Sequence, residues 1–534
     1  MVTRSPSLAT TSAFEILGPV MVGPSSSHTA GALRLARVAA GLLERPVVRA
    51  VFTLWNSFAH TYRGHGTDRA LVAGALGLET DDERIRDSFA LARERGLAFC
   101  FEVAGDDDAL HPNTVDIEFE DQGGTRVVVR GESLGGGRVR ICRINGVAVD
   151  VTGAYTTLFV SHRDAPGALA ACADAVATAR LNIAFCRTYR MEQGGSAYTV
   201  FEMDGAPDTS VLPRLRSLPL VETATFIRVP GSATALAPGV TVPELIEDAR
   251  GLEATCRERG LTIGGVMRVR EERLQGADLA EEQMAQVLRV MREEVRASIE
   301  RPRPSLGGFI GGEARAVADA APSVGDALLG AVQSRATAYA LAVLERSAAM
   351  GVIVAAPTAG SAGVVPGCVL ALAEYLGSED RMVEDALWCA AAVGLLLSTE
   401  ACVAGAEGGC QAEVGSAAAM AAAALVQLMD GTPAQSLDAA SLALGNLLGL
   451  VCDPVGGLVE VPCQNRNAIG VAAAFSSAQL ALSGVGSLVP FDEMTKVMLA
   501  VGRAMPPSLR ETARGGIAQA PSALAACGAC GGCA

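Results

Sequence analysis

Lysine is almost missing: the 534 residues hold one, Lys496. A pyridoxal-phosphate enzyme ties its cofactor to a Schiff-base lysine. Lys496 lies in Phe491-Asp-Glu-Met-Thr-Lys496-Val-Met-Leu, an amphipathic pattern that puts the lysine on the wet face, so pyridoxal chemistry is disfavoured. Aromatic residues are only 4%, and the core must therefore be built from Ala, Leu, Val and Gly. A basic excess is also lacking. The net charge of −15 and a pI near 5 argue against a nucleic-acid footprint. Histidines number five, His28, His60, His65, His111 and His162, all in the first third of the chain. The start shows no secretory pattern, and the apolar patch at 16–22 is too short and too broken by Gly and Pro for a signal core. The expected compartment is reducing and cytoplasmic, where the 14 cysteines are ligands or buried thiols rather than disulfides.

At 534 residues the chain is too long for one core and is expected to form two to four domains, and with half its residues apolar there is ample material to bury. The expected architecture is multidomain: an N-terminal α/β domain at 1–152, a βαββαβ domain at 153–230, a linker at 231–240 and a mainly α-helical domain at 241–534. In the first, Gly23-Pro24-Ser25-Ser26-Ser27-His28-Thr29-Ala30-Gly31 precedes a helical pattern. Hydroxyls and free backbone N–H groups there suit a carboxylate or phosphate, or a plain helix cap. His65 lies between two glycines in Gly64-His65-Gly66-Thr67-Asp68, with little steric cover, and His111-Pro112-Asn113-Thr114 opens a further segment. The second domain carries Asp164-Ala165-Pro166-Gly167 at its first helix start and resembles an ACT domain. That resemblance implies a small-ligand pocket near Pro166, Gly167, Asn182 and Ile183; the same order would also serve a ligand-free ferredoxin-like spacer. In the helical domain, charge-free windows at 348–373 and 467–491 are long enough to span a bilayer. Their Ala and Ser content, the Gly/Pro breaks of the first and the missing aromatic belts favour a buried all-α core over a membrane transporter.

Three cysteines stand among Gly, Pro and acidic residues: Cys410 after Gly408-Gly409, Cys452 before Asp453-Pro454-Val455-Gly456-Gly457, and Cys463 after Pro462. Three thiolates holding a cubane cluster would leave one iron without a protein ligand, free to act as a Lewis acid. Cys172, Cys368, Cys389 and Cys402 lie in Ala/Leu-rich runs and are expected to be inert and buried. If histidines and cysteines serve one reaction, the site lies between domains or between subunits.

Together these motifs, with Ala356-Pro357-Thr358-Ala359-Gly360, Glu407-Gly-Gly-Cys410 and Arg466-Asn467, resemble the iron–sulfur L-serine dehydratases over nearly the whole chain. The resemblance implies deamination of L-serine to pyruvate and ammonia, with a [4Fe–4S] cluster on Cys410, Cys452 and Cys463. A histidine near its ordinary pKa suits removal of the α-proton at neutral pH, and His65 is the expected base, with His28 second; Ser25, Ser26, Ser27 and Thr29 would orient the substrate carboxylate. Asn113, Thr358, Ser361, Arg466 and Asn467 are further substrate or cluster neighbours. A C-terminal cysteine that folds back onto the open iron has candidates in Cys527, Cys530 and Cys533. Here the chain departs from the family, with Gly515-Gly516-Ile517-Ala518 followed by a longer cysteine-bearing tail. A homodimer and a small-molecule or cation effector are expected, and neither nucleic acid nor membrane as a partner. The rival readings are elimination from L-cysteine or L-threonine on the same cluster, a membrane transporter, and a non-catalytic cluster sensor.

Overall fold

The computed structural model describes residues 11–152, 155–190, 192–203, 208–227 and 246–529. Alternating apolar positions in the first part build a six-stranded sheet. Its spatial order is Ala98–Gly105, Val47–Trp55, Thr114–Asp121, Arg126–Gly135, Arg138–Ile144, Val147–Val151. The first two strands are parallel and every other pair is antiparallel. Val115, Ile117 and Phe119 point to one face and are fully buried there, under the helices Ala32–Ala40 and Thr67–Ala75.

The next sheet has four antiparallel strands in the order Val221–Ile227, Thr156–Arg163, Ser196–Met203, Ile183–Arg190. Helices Ala168–Thr178 and Val211–Arg216 complete a βαββαβ unit. The period of two divides its strands between two cores. Leu158, Val160 and Phe201 pack with Cys172, Val176 and Leu215 from the helices, while Phe159, Val200 and Ile227 join the core of the six-stranded part.

From Ala249 onward the described chain is mainly helical, with only the three-residue strand Val352–Val354 among the named elements. The helix Ser416–Leu428 carries seven alanines and is buried except at Gln427. Small side chains let Val364–Leu376, Asp380–Glu400, Pro433–Asn446 and Cys463–Leu482 close around it, so dense packing replaces aromatic bulk. Two stretches are apolar and long enough to cross a bilayer, Ala359–Leu376 and Asp380–Glu400. They are 78% and 72% buried inside this bundle, as core helices are. Lys496 is exposed on the helix Phe491–Ala504, and Cys172, Cys368, Cys389 and Cys402 are buried.

The first described residues do not stay with the N-terminal sheet. Ala13, Ile16, Leu17 and Met21 enter the core of the helical bundle. Ser12 Oγ and the Ala13 N–H donate to the buried Glu271 carboxylate at 2.6 and 2.9 Å. Val20–Val22 then pairs antiparallel with Val352–Val354. This seam delivers residues 23–31 to the bundle. Residues 231–240, Cys530 and Cys533 lie outside the described residues.

Candidate active site

A cleft of about 500 Å³ opens where the residues after this seam meet the cysteine loops. Its N-terminal wall is the turn Ser25–Ser27 with Asn113 and the Gly135-Gly136 hairpin tip. The Ser25 hydroxyl caps a widened helical turn, accepting from the His28 N–H at 3.0 Å. His28 is fully buried with both ring nitrogens engaged: Nδ1 lies 3.0 Å from Ser27 Oγ and Nε2 2.9 Å from Ser57 Oγ. His65 stands edge-on to it, ring centroids 4.3 Å apart. Equally buried, His65 has no hydrogen-bond partner on either ring nitrogen among the described residues. Its loop is tied down by Thr29 Oγ1, which donates to the His65 carbonyl at 2.8 Å. Gly64 allows the loop to approach the cysteine segment, because a Cβ there would meet the Leu458 side chain at 2.8 Å. Gly457 does the same from the other side, where a Cβ would stand 3.0 Å from Thr61.

The C-terminal wall is assembled from distant segments. Cys452, Cys463, Glu413, Thr358 and Glu511 line the cleft, and Cys410 packs behind against Cys452. The loop from Cys452 to Cys463 is anchored by buried Glu460, whose carboxylate accepts from Ser305 Oγ (2.7 Å), the Gly307 N–H (2.7 Å) and the Phe309 N–H (3.0 Å). Arg466 donates to the Val451 carbonyl and to Asp453 Oδ1, each at 2.7 Å. Asp453 Oδ2 in turn accepts from the Ile517 N–H at 2.7 Å, pinning the C-terminal strap. Glu511, on that strap, exchanges backbone contacts with Cys452: Cys452 donates to the Leu509 carbonyl and Glu511 to the Cys452 carbonyl, both at 2.8 Å.

The electrostatics of the two walls differ. Burial drives the His28 imidazole well below its usual range and His65 down to about 4, so both are neutral at physiological pH. Burial pushes the carboxyls up, Glu413 to about 6 and Glu511 to about 8, the second helped by Glu413 itself. Burial also raises the three thiols, Cys410 to about 12 against the opposing pull of Arg466. A buried thiol deprotonates when a metal takes it. The three sulfurs fit a cluster better than a single ion. They are free, buried and near enough for their charges to raise one another, yet not gathered within 4.8 Å as ligands of one ion are. Among the described residues, the set whose ligand atoms close to within 4.8 Å is His28, His65 and Glu511.

Of the residues singled out from sequence, Ser25, Ser26, Ser27, Asn113, Thr358, Cys452 and Cys463 line the cleft, with His28, His65 and Cys410 directly behind. Thr358 donates to Glu413 at 2.8 Å. Ser361 is turned to the Ala356 carbonyl, 3.2 Å away, and Asn467 bonds the backbone of Gly360, Gly363 and Cys463, so these two brace the loops. Cys527 lies partly buried on the helix Pro521–Ala529, which packs on the turn Val455–Gly457 and does not line the cleft. Pro166 and Gly167 follow the Arg163 end of the four-stranded unit, whereas Asn182 and Ile183 stand at its opposite end, where Ile183 is level with Met203, so the single pocket expected of these four does not form within one copy of the unit; Pro166, Gly167 and Asn182 are exposed, and all four lie outside this cleft. Sequence reasoning missed Ser57, Glu413 and Glu511. Glu413 stood three residues past Cys410, a signal that was available; Glu511 sits in Arg510-Glu511-Thr512, where nothing local marks it.

Two family models match: the serine dehydratase beta chain over residues 12–96 and the serine dehydratase alpha chain over residues 258–518. An L-serine dehydratase of Streptomyces coelicolor is 32% identical over 93% of this chain and 96% of its own length. The L-serine dehydratase alpha chain of Peptoniphilus asaccharolyticus is 42% identical over 51% of this chain and 94% of its own. The beta chain of the same organism is 38% identical over 41% of this chain and 98% of its own.

Proposed function

We propose a division of labour in this cleft from one premise: the chain belongs to the L-serine dehydratase family, with the alpha and beta parts in a single polypeptide. It is an L-serine ammonia-lyase, converting L-serine to pyruvate and ammonia by loss of water. The family is an iron–sulfur one, and in our reading Cys410, Cys452 and Cys463 hold a [4Fe–4S] cluster. When bound, that cluster supplies a Lewis acid for the hydroxide that departs from Cβ.

His65 takes the α-proton. The observation that carries this is its pair of ring nitrogens, unpartnered among the described residues and buried just behind the cleft lining, beside a His28 whose own nitrogens are committed to serines. An imidazole kept neutral by burial is ready to accept a proton without first losing one. His28 positions the turn: its bonds to Ser27 and Ser57 aim the hydroxyls and N–H groups of Ser25–Ser27 at the substrate carboxylate. Removal of the proton and departure of hydroxide leave aminoacrylate, which tautomerises and hydrolyses to pyruvate and ammonia. Thr358 and Glu413 line the same space, and Arg466 steadies Cys410 through charge.

The division into units at 1–152, 153–230 and 241–534 belongs to this proposal, with the ACT-like middle unit as a sensor of a small molecule or cation. So do a homodimeric state, a cytoplasmic setting and a cluster-capping role for Cys527. The test is pyruvate formation from L-serine by anaerobically reconstituted protein, repeated after exposure to air. Turnover that vanishes in air supports a catalytic cluster within reach of solvent. Turnover that survives air and chelation would remove the cluster from the reaction.

A further inference from the structure

Two acceptors in the cleft have no part in the chemistry above. Asn113 commits its Nδ2 to the Ser133 carbonyl at 3.3 Å, which leaves a buried Oδ1 with no donor among the described residues. Glu511 is buried, its carboxylate met by the Ala406 N–H. Its backbone is left-handed, with φ 59°, a conformation rare for a non-glycine residue and held here by the pairing with Cys452. The other carboxylate, Glu413, already accepts from Thr358.

L-serine brings three polar groups. Its carboxylate suits the hydroxyls and N–H groups of the Ser25–Ser27 turn, and its hydroxyl leaves. The ammonium, with three N–H donors, needs acceptors. The α-proton and the ammonium hang on the same carbon, so the base for one and the acceptor for the other must stand within roughly 5–6 Å of each other. His65 and Glu511 meet that demand, with ligand atoms within 4.8 Å. We infer that Glu511, with Asn113 Oδ1, holds the α-ammonium of L-serine and so selects α-amino acids over acids that lack the amino group. The inference rests on the dehydratase reading.

The test compares the cluster-loaded full chain with its Glu511→Gln and Asn113→Ala variants. L-serine is the substrate and 3-hydroxypropanoate the inhibitor, since it keeps the hydroxyl and carboxylate but has no ammonium. In Glu511→Gln, KM for serine should rise about tenfold to a hundredfold, the scale of a lost charged hydrogen bond, while the inhibition constant of 3-hydroxypropanoate stays within about twofold. Asn113→Ala should move serine alone by a smaller factor, about threefold to tenfold. If Glu511→Gln loses its cluster absorbance, Glu511→Asp, which keeps the charge but draws it back by one methylene, must show the same serine-only weakening. Equal weakening of serine and inhibitor, or a kcat collapse at unchanged KM, overturns the inference alone. A wild-type chain that makes no pyruvate from L-serine overturns the dehydratase reading and this one with it.

Discussion

The two walls of the cleft are built in opposite ways. The N-terminal wall is mostly local: within residues 25–65, serine hydroxyls bond the His28 imidazole, a threonine holds the His65 backbone, and the His65 ring is left over among the described residues. The C-terminal wall draws Thr358, Cys410, Glu413, Cys452, Cys463 and Glu511 from segments spread over more than 150 residues, and most of its groups are thiols and carboxyls. Burial and mutual repulsion push those groups toward their protonated forms, and Arg466 opposes that at Cys410. One wall is therefore a set of neutral groups, with the His65 ring and Asn113 Oδ1 left without partners among the described residues. The other is a set of thiols and carboxyls that burial holds toward their protonated forms, the kind of group that a cation deprotonates.

The sharpest way to break this contrast is to remove a sulfur. Cys463→Ser, reconstituted anaerobically beside wild type, should lose the visible absorbance of the cluster. Serine turnover should drop by roughly three orders of magnitude, the several kcal/mol a Lewis acid contributes. A variant that keeps full absorbance would mean Cys463 is not a ligand. Next come the two histidines, which the structure separates by their bonds. His65→Ala should keep its cluster and lose about 10²–10⁴ in kcat, the range for a general base. His28→Gln, whose side chain can still bond a serine, should lose no more than about tenfold, with part of the change in KM. Equal losses would erase the distinction between the free and the engaged imidazole.

Much of this contrast was legible in the sequence. Short motifs named the serine turn, His65 and the three cysteines because each motif is a local device: a capped turn, a glycine-flanked histidine, a thiol in a Gly/Pro loop. What was hidden is non-local. Gly64 and Gly66 seemed to leave His65 uncovered, whereas Gly64 is there for Leu458, almost 400 residues away. The apolar run at 16–22 looked like a broken patch, yet Ile16, Leu17 and Met21 plug the helical core, which no periodicity could indicate. Thr29 and Asn467 carry polar side chains that suit a ligand, yet both turn these to backbone. Glu511 has a left-handed φ as its mark, and φ is not written in a sequence.

The smallest effect concerns stability. His65 is buried neutral, with a folded pKa of about 4 against 6.5 for the free imidazole. Above pH 6.5 neither state binds the proton, and the burial costs nothing on this account. As pH falls, the unfolded chain takes up a proton that the folded one refuses, so stability is lost progressively between pH 6.5 and about 4, at up to about 1.4 kcal/mol per pH unit. Between pH 7.5 and 5 this amounts to about 2 kcal/mol. His28 is depressed in the same sense, and its share remains when His65 is replaced. Urea unfolding of the cluster-free full chain should therefore show a shallower loss on acidification in His65→Asn than in wild type, by about 2 kcal/mol at pH 5. Identical slopes would mean that water or a neighbouring carboxylate reaches the His65 ring in solution. The unpartnered nitrogens that single it out as the base would then be partnered, and the two imidazoles would no longer differ in kind.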